Sequence, residues 1–229
     1  MPSEAKPSSI ELGGDFGYVA GGPASAVSIL PTCNDPTALG SELTTTPTTG
    51  TPFMIRPVPD GTMLALVPSG VDVLTPTVGG IGCAFQPPYP NVTPPALIPG
   101  TLAVSNEMSS FNLGQTNFVP TQFIISSDGS TAYVVAENLA SVLVFNIPNR
   151  TSSAIPPLSG NAIPLQAALT PDGTLLYIGA SDGTVHVVDT VTGGDIQQIS
   201  FPQNPTTLQG GLCSEVMFTC NPDLIAVKP

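Results

Sequence analysis

Few side chains in this chain are equipped for chemistry, and their spacing sets what each can do. His186 is the only histidine, and it stands between Val185 and Val187 in an apolar run. Triad chemistry needs such an imidazole beside an activated nucleophile, and the sequence contains no Gly-x-Ser-x-Gly elbow to supply one. His186 is therefore read as an outward or hydrogen-bonded strand residue. No metal site and no cofactor are expected: the only histidine lies mid-strand and there is no Cys-x-x-Cys pair. No catalytic residue is nominated.

The carboxylates point to turns. Asp60, Asp128, Asp172 and Asp182 each precede a glycine. In that context an Asp side chain accepts hydrogen bonds from the amides just after it, which is favoured here over calcium binding. The four cysteines, Cys33, Cys83, Cys213 and Cys220, allow three pairings. Cys213 and Cys220 have six residues between them in a predicted hairpin or loop, a span a bridge can close, and Cys33 would then pair with Cys83. An even count in a secreted-like composition favours disulfides, with buried thiols as the alternative.

The turn aspartates belong to a repeat. A proline stands eight residues before each of three of them, as Pro52 to Asp60, Pro120 to Asp128 and Pro164 to Asp172. The clearest copy has apolar, β-rich runs at 165–170, 174–180, 184–190 and 195–201, separated by Asp-Gly or Gly-Gly turn signals. A second has runs at 121–127, 130–137, 141–148 and 151–158. A third has 52–59, 62–69 and 71–77, with 80–85 as a candidate fourth. A worn first copy has 10–14, 16–21 and 26–31, with Asp15 at the turn position. The steps between turn aspartates are 45, 68 and 44 residues. A period near 44 with one insertion of about 24 is that of a four-stranded propeller blade.

The expected fold is all-β: a β-propeller of four-stranded antiparallel blades, about four to five in this chain. Two arrangements stay open, a small closed ring or the C-terminal part of a larger propeller. The chain reads as one domain, 1–229, with blades at 8–50, 51–86, 119–160 and 161–203, an insertion at 87–118 and a C-terminal closing segment at 204–229. The insertion is proline-rich, which discourages regular sheet, with a candidate strand at 101–105. The Thr- and Pro-rich stretch 41–51 reads as a surface connection or a poor outer strand.

Thr170-Pro171-Asp172-Gly173-Thr174-Leu175-Leu176-Tyr177-Ile178-Gly179-Ala180 and Gly183-Thr184-Val185-His186-Val187-Val188-Asp189-Thr190-Val191-Thr192-Gly193 together resemble the YVTN-type β-propeller repeat, and the run from Ser126 to Val135 resembles its first half. The resemblance is specific over 119–202, fair over 51–79 and weak over 10–32. It implies a cell-surface repeat protein of bacteria or archaea whose blades are like those of lactonase-type propellers. A WD-type propeller is disfavoured, because the chain has no Trp.

In a propeller the channel mouth gathers residues from several first strands. Six positions before the turn Asp stand Met54, Gln122 and Gln166, and four before it stand Arg56, Ile124 and Ala168. Arg56, Gln122 and Gln166 are thus the candidate channel- or ligand-facing residues, with hydrogen bonding between first strands as the plainer reading. Charged residues make up 9% of the chain and the net charge is −12, with Lys6, Arg56, Arg150 and Lys228 as the only cationic side chains. Four cations cannot build a phosphate-binding face, which excludes nucleic acid. No run reaches a membrane-spanning length, so membrane insertion is not expected. Residues 1–12 lack the charged-then-apolar layout of a signal peptide.

The expectation is a non-enzymatic, extracellular or cell-surface module with a structural, self-assembly or binding role. Its partners would be other copies of itself, or cell-surface proteins and glycans. The alternative is a lactonase- or hydrolase-like propeller with a site at the channel mouth.

Overall fold

Local turn chemistry sets the hairpins at 126–131 and 170–175. At residues 126–131 the Gly129 N–H donates to Ser126 O at 2.8 Å, and Ser126 N–H donates to Thr131 O at 2.8 Å, closing a four-residue loop. Residues 170–175 repeat it with Gly173 and Thr170. Gly129 has φ 72° and Gly173 has φ 73°, and neither Asp128 nor Asp172 is left-handed. A two-residue type I′ turn would need positive φ at both central positions, so these hairpins instead use a longer loop with glycine alone in the left-handed region.

The computed structural model describes residues 7–13, 16–21, 25–31, 44–59, 62–76, 102–108 and 119–200. Among these the chain is all-β: four antiparallel four-stranded sheets and one 3-10 turn at Ser159–Asn161. It divides into two compact units, Met1–Gln115 and Thr116–Pro229.

In the first unit, sheet 1 is β1 (Pro7–Gly13), β2 (Phe16–Gly21), β3 (Ala26–Pro31) and β4 (Thr44–Pro47), and sheet 2 is β5 (Met54–Pro57), β6 (Met63–Val67), β7 (Gly70–Pro76) and β8 (Leu102–Met108). Each is a meander in chain order. The facing sides of the two sheets form one core, and β6 is buried along its whole length. Tyr18, Ala20, Val27 and Ile29 of sheet 1 pack against Ile55, Met63, Ala65, Val67 and Leu74 of sheet 2.

In the second unit, sheet 3 is β9 (Pro120–Ile125), β10 (Thr131–Ala136), β11 (Leu143–Asn146) and β12 (Thr151–Ala154), and sheet 4 is β13 (Pro164–Leu169), β14 (Leu175–Ala180), β15 (Thr184–Asp189) and β16 (Asp195–Ser200). Tyr133 and Val135 of sheet 3 face Ala167, Leu176, Ile178, Ala180 and Val188 of sheet 4. The linker between the sheets adds Ile155, Leu158 and Ala162 to this core.

The four runs of the clearest copy are β13 to β16, each within a residue or so of its expected bounds. The Thr-rich stretch contributes the outer strand β4. In sheet 2 the fourth place beside β7 is taken by β8, so the proline-rich insertion falls inside this sheet and its far end pairs back onto it. Residues 80–85, Asp15, Asp60, the closing segment 204–229 and all four cysteines lie outside the described residues.

Candidate functional site

The polar groups of interest cluster along the first strand of each sheet, where a strand paired on one side only presents amides and carbonyls to its neighbour. Counting from the turn Asp, Ser9, Met54, Gln122 and Gln166 occupy one position in sheets 1 to 4. Gln122 Oε1 accepts a hydrogen bond from the Ala167 N–H of sheet 4. In the first unit, Ser9 Oγ accepts from the Ile55 N–H of sheet 2 at 3.4 Å. The acceptor position is the same in both units, and so is the donor, the residue next after it in the following sheet.

Hydroxyls reinforce these lateral bonds. Thr121 Oγ1 donates to Leu165 O at 2.9 Å and Ser127 Oγ to Pro171 O at 2.8 Å. Ser8 Oγ donates to Pro52 O at 3.2 Å. Partners in all these bonds lie 44 to 46 residues apart, so within each unit the interval between copies is also the interval between bonded residues of its two sheets.

Of the three candidate residues, Gln122 reaches laterally to sheet 4. Arg56 reaches laterally to sheet 1, where its guanidinium pairs with Glu11 and lies 3.5 Å from Ser9 Oγ. Gln166 differs from both: its Oε1 is buried and has no hydrogen-bond partner among the described residues.

His186 stands on β15 directly across from Ile178, on the face turned toward sheet 3, and is fully buried. Its Nδ1 lies 2.7 Å from Asp195 Oδ2 and its Nε2 lies 3.2 Å from Asp182 Oδ2. Asp195 Oδ2 also accepts the Ser159 N–H at 3.0 Å, which ties the linker 155–163 to the sheet. Burial pushes the Asp195 carboxyl up, but the hydrogen bonds from His186 and Ser159 outweigh it and hold the group below the ordinary carboxylate range. Asp182 follows the same pattern: burial raises it, and bonds from Thr184 and His186 bring it below its usual value. With a carboxylate on each ring nitrogen, His186 has no nitrogen left for a nucleophile or a metal.

Asp72 is the counterpart in the first unit. It lies across from Ala65 on β7, the position His186 holds on β15, and is fully buried. Its Oδ2 accepts the Thr49 N–H and its Oδ1 the Thr49 hydroxyl, both at 2.7 Å. Sequence reasoning passed over Asp72 and Asp195. Asp72 occupies a run with no turn signal, and Asp195 is distinguished only by a bulge in the β15–β16 register.

The turn carboxylates act locally. Asp128 Oδ1 accepts from Ser126 Oγ at 2.6 Å, Ser130 N–H at 2.9 Å and Ser130 Oγ at 2.8 Å. The Ser126 hydroxyl, with the Ser130 amide and hydroxyl, lowers its pKa to about 2. Asp172 repeats the constellation with Thr170 and Thr174, and its pKa is lowered by the same kinds of bonds. Both turns border a groove of about 580 Å³ between sheets 3 and 4, whose lining includes Tyr133, Ser130, Ser153 and Thr190 and no Lys or Arg. Burial raises the Tyr133 phenol, a hydrogen bond with Thr190 opposes this, and the Asp128 charge adds to the rise. The groove therefore presents hydroxyls and the Asp128 and Asp172 carboxylates, with no cation in its lining.

Among the described residues, no group of three or more His, Cys, Asp or Glu side chains is placed to hold a metal ion. No helix among them is long and apolar enough to cross a membrane. No protein-family model matches this chain, and no curated protein is significantly similar to it.

Proposed function

We propose that this chain is a non-enzymatic extracellular repeat module of the YVTN β-propeller kind, its four sheets serving as blades, with a structural, self-assembly or binding role at the cell surface. The observation that carries this reading is the recurrence of one lateral bond, Ser9 to Ile55 and Gln122 to Ala167, at the blade period. Such a bond has use only where copies of one sheet stack in order.

Side-chain commitments favour a scaffold over a hydrolase. His186 is held by two carboxylates, Gln122 by a backbone amide, and Arg56 by Glu11. The hydroxyl-rich, cation-free groove beside Tyr133 fits a cell-surface glycan or protein as the bound partner.

The test is surface digestion of intact cells that make the protein, paired with metal analysis and a lactone hydrolysis screen of the purified chain. Loss of the protein to external protease, with no stoichiometric metal and no turnover, is expected. Protection from the protease, or metal-dependent hydrolysis, would overturn the reading.

A further inference from the structure

The buried imidazole of His186 faces two acceptors. Its Nδ1 lies 2.7 Å from Asp195 Oδ2 and its Nε2 lies 3.2 Å from Asp182 Oδ2, and the ring is 0% exposed. A neutral ring has one N–H and one lone pair, so it can donate to only one of these carboxylates and must turn its lone pair on the other. A ring with both nitrogens protonated donates to each. Both carboxylates are held below their ordinary range by hydrogen bonds, so both are anions at neutral pH.

These two anions are the charges that reach the ring. Across from His186 lie Ile178 on β14 and Gln198 on β16. Strand β13 and the linker 155–163 contain no titratable side chain. Sheet 3 contributes Tyr133 to the same core, and its phenol is bonded to Thr190. Tyr177 on β14 and Asp189 on β15 fall on the opposite face by strand alternation.

The two carboxylates also sit at the two attachments of one segment. The linker 155–163 sends Ile155, Leu158 and Ala162 into the core between sheets 3 and 4. It is tied at Ser159, whose N–H donates to Asp195 Oδ2 at 3.0 Å. Its other tie is Ile163, whose N–H donates to Ser181 Oγ at 2.9 Å and whose carbonyl accepts the Ser181 N–H at 2.9 Å. Ser181 directly precedes Asp182, so the ring braces both ties at once.

The two contacts are unequal. Asp195 is the closer partner and its side chain is 11% exposed, against 38% for Asp182. Stranding the more buried acceptor costs more, so a ring with one proton keeps it on Nδ1. Asp182 can turn to water, and it still accepts from the Thr184 N–H and hydroxyl.

We infer that His186 is a pH-sensitive latch: doubly protonated, it clamps Asp182 and Asp195 and fixes the linker at both ties, and on losing the Nε2 proton to solvent it releases Asp182 and loosens the linker at Ile163 while Ser159 stays held. The latch works within the second unit and is independent of what that unit binds.

His186 is the only histidine in the chain, so isotopic labelling of histidine nitrogen reports this ring alone by nuclear magnetic resonance. Over a titration from about pH 5 to about pH 9, both nitrogens should be protonated at the acid end and Nε2 alone should lose its proton toward the alkaline end. Amide exchange at Ser181 and Ile163 should rise by about tenfold beyond its intrinsic pH dependence, with the same midpoint as the ring, and exchange at Ser159 should show no such step. In Asp182→Asn the side-chain amide can donate to the unprotonated Nε2, so the step at Ile163 should vanish. A ring that keeps both protons, or only one, throughout the titration would overturn the inference. So would loss of the Nδ1 proton first, exchange at Ile163 that ignores the ring, or a step that survives in Asp182→Asn.

Discussion

The two units join their paired sheets by different chemistry at the same address. In the first, the buried Asp72 carboxylate on β7 grips the amide and hydroxyl of Thr49 in the segment that follows sheet 1. In the second, the equivalent residue on β15 is His186, which reaches the linker only through Asp195 and the Ser159 N–H. Both place a buried polar group on the third strand and aim it at the chain arriving from the preceding sheet. What persists is a buried polar side chain on the third strand that finds its partner on an exposed linker residue, and either a carboxylate alone or an imidazole–carboxylate pair makes the tie.

The units also differ in the continuity of their sheets along the chain. The second has matched loops in which Asp128 and Asp172 accept the same set of hydroxyls and amides one repeat apart. The first keeps the same sheet order across a long interruption before β8.

The strongest way to break this comparison is to remove each latch. His186→Leu removes a buried donor from the partly buried Asp195 and leaves it Ser159 alone, and should destabilise the second unit by about 3 kcal/mol. Denaturant unfolding followed by hydrogen exchange, read separately over the two units, checks it. Asp72→Leu frees the Thr49 amide and leaves its hydroxyl with Ser69 alone, and should cost the first unit about 1–2 kcal/mol, with residues 48–53 exchanging fastest. Equal loss of protection in both units from either substitution would refute the idea that each latch serves its own pair of sheets.

Acid sharpens the contrast. Asp128, Asp172, Asp182, Asp189 and Asp195 of the second unit all have folded pKa values below the ordinary 3.8, Asp128 at about 2. A lowered folded pKa contributes stability that is present above the unfolded value and lost as pH falls through the folded one. Amide exchange at Ser130 should therefore accelerate, beyond its intrinsic pH dependence, between pH 3.8 and about 2, and that at Thr174 as the pH falls below 3.8. Constant protection across that window would contradict the assignment of these carboxylates as turn acceptors. Gly173→Ala should have the smallest effect, about 1 kcal/mol, because φ is +73° while no atom lies within 4 Å of the added carbon. A melting-temperature series with Gly160→Ala, at the same φ, measures it.

Sheets 3 and 4 were legible because their turns carry Asp-Gly signals at fixed intervals and their strands alternate or run apolar between them. A strand at 101–105 was expected where β8 lies, but its place was not legible, since nothing in its own sequence shows that the chain returns to β7 after the proline-rich insertion; the pairing is set by register with Val71 and Leu74, a long-range choice. The orientation of His186 was illegible for a related reason. Val185, His186, Val187 and Val188 are all buried, and a strand covered on both faces loses the two-residue alternation that would reveal which way a polar residue points. The candidate positions Arg56, Gln122 and Gln166 were found by counting from the turn Asp, yet only geometry showed that the first two reach sideways to a neighbouring sheet.

The central claim is that the repeat period is a bonding period, one first strand holding the next. The Ala167 amide tests it most directly, because Gln122 from sheet 3 supplies its acceptor. In residue-resolved hydrogen exchange, Ala167 should be protected in the wild type and should lose about five- to tenfold in protection in Gln122→Met, with Ile178 unchanged. An Ala167 amide that exchanges freely in the wild type, or that ignores the loss of the Gln122 amide, would contradict the account.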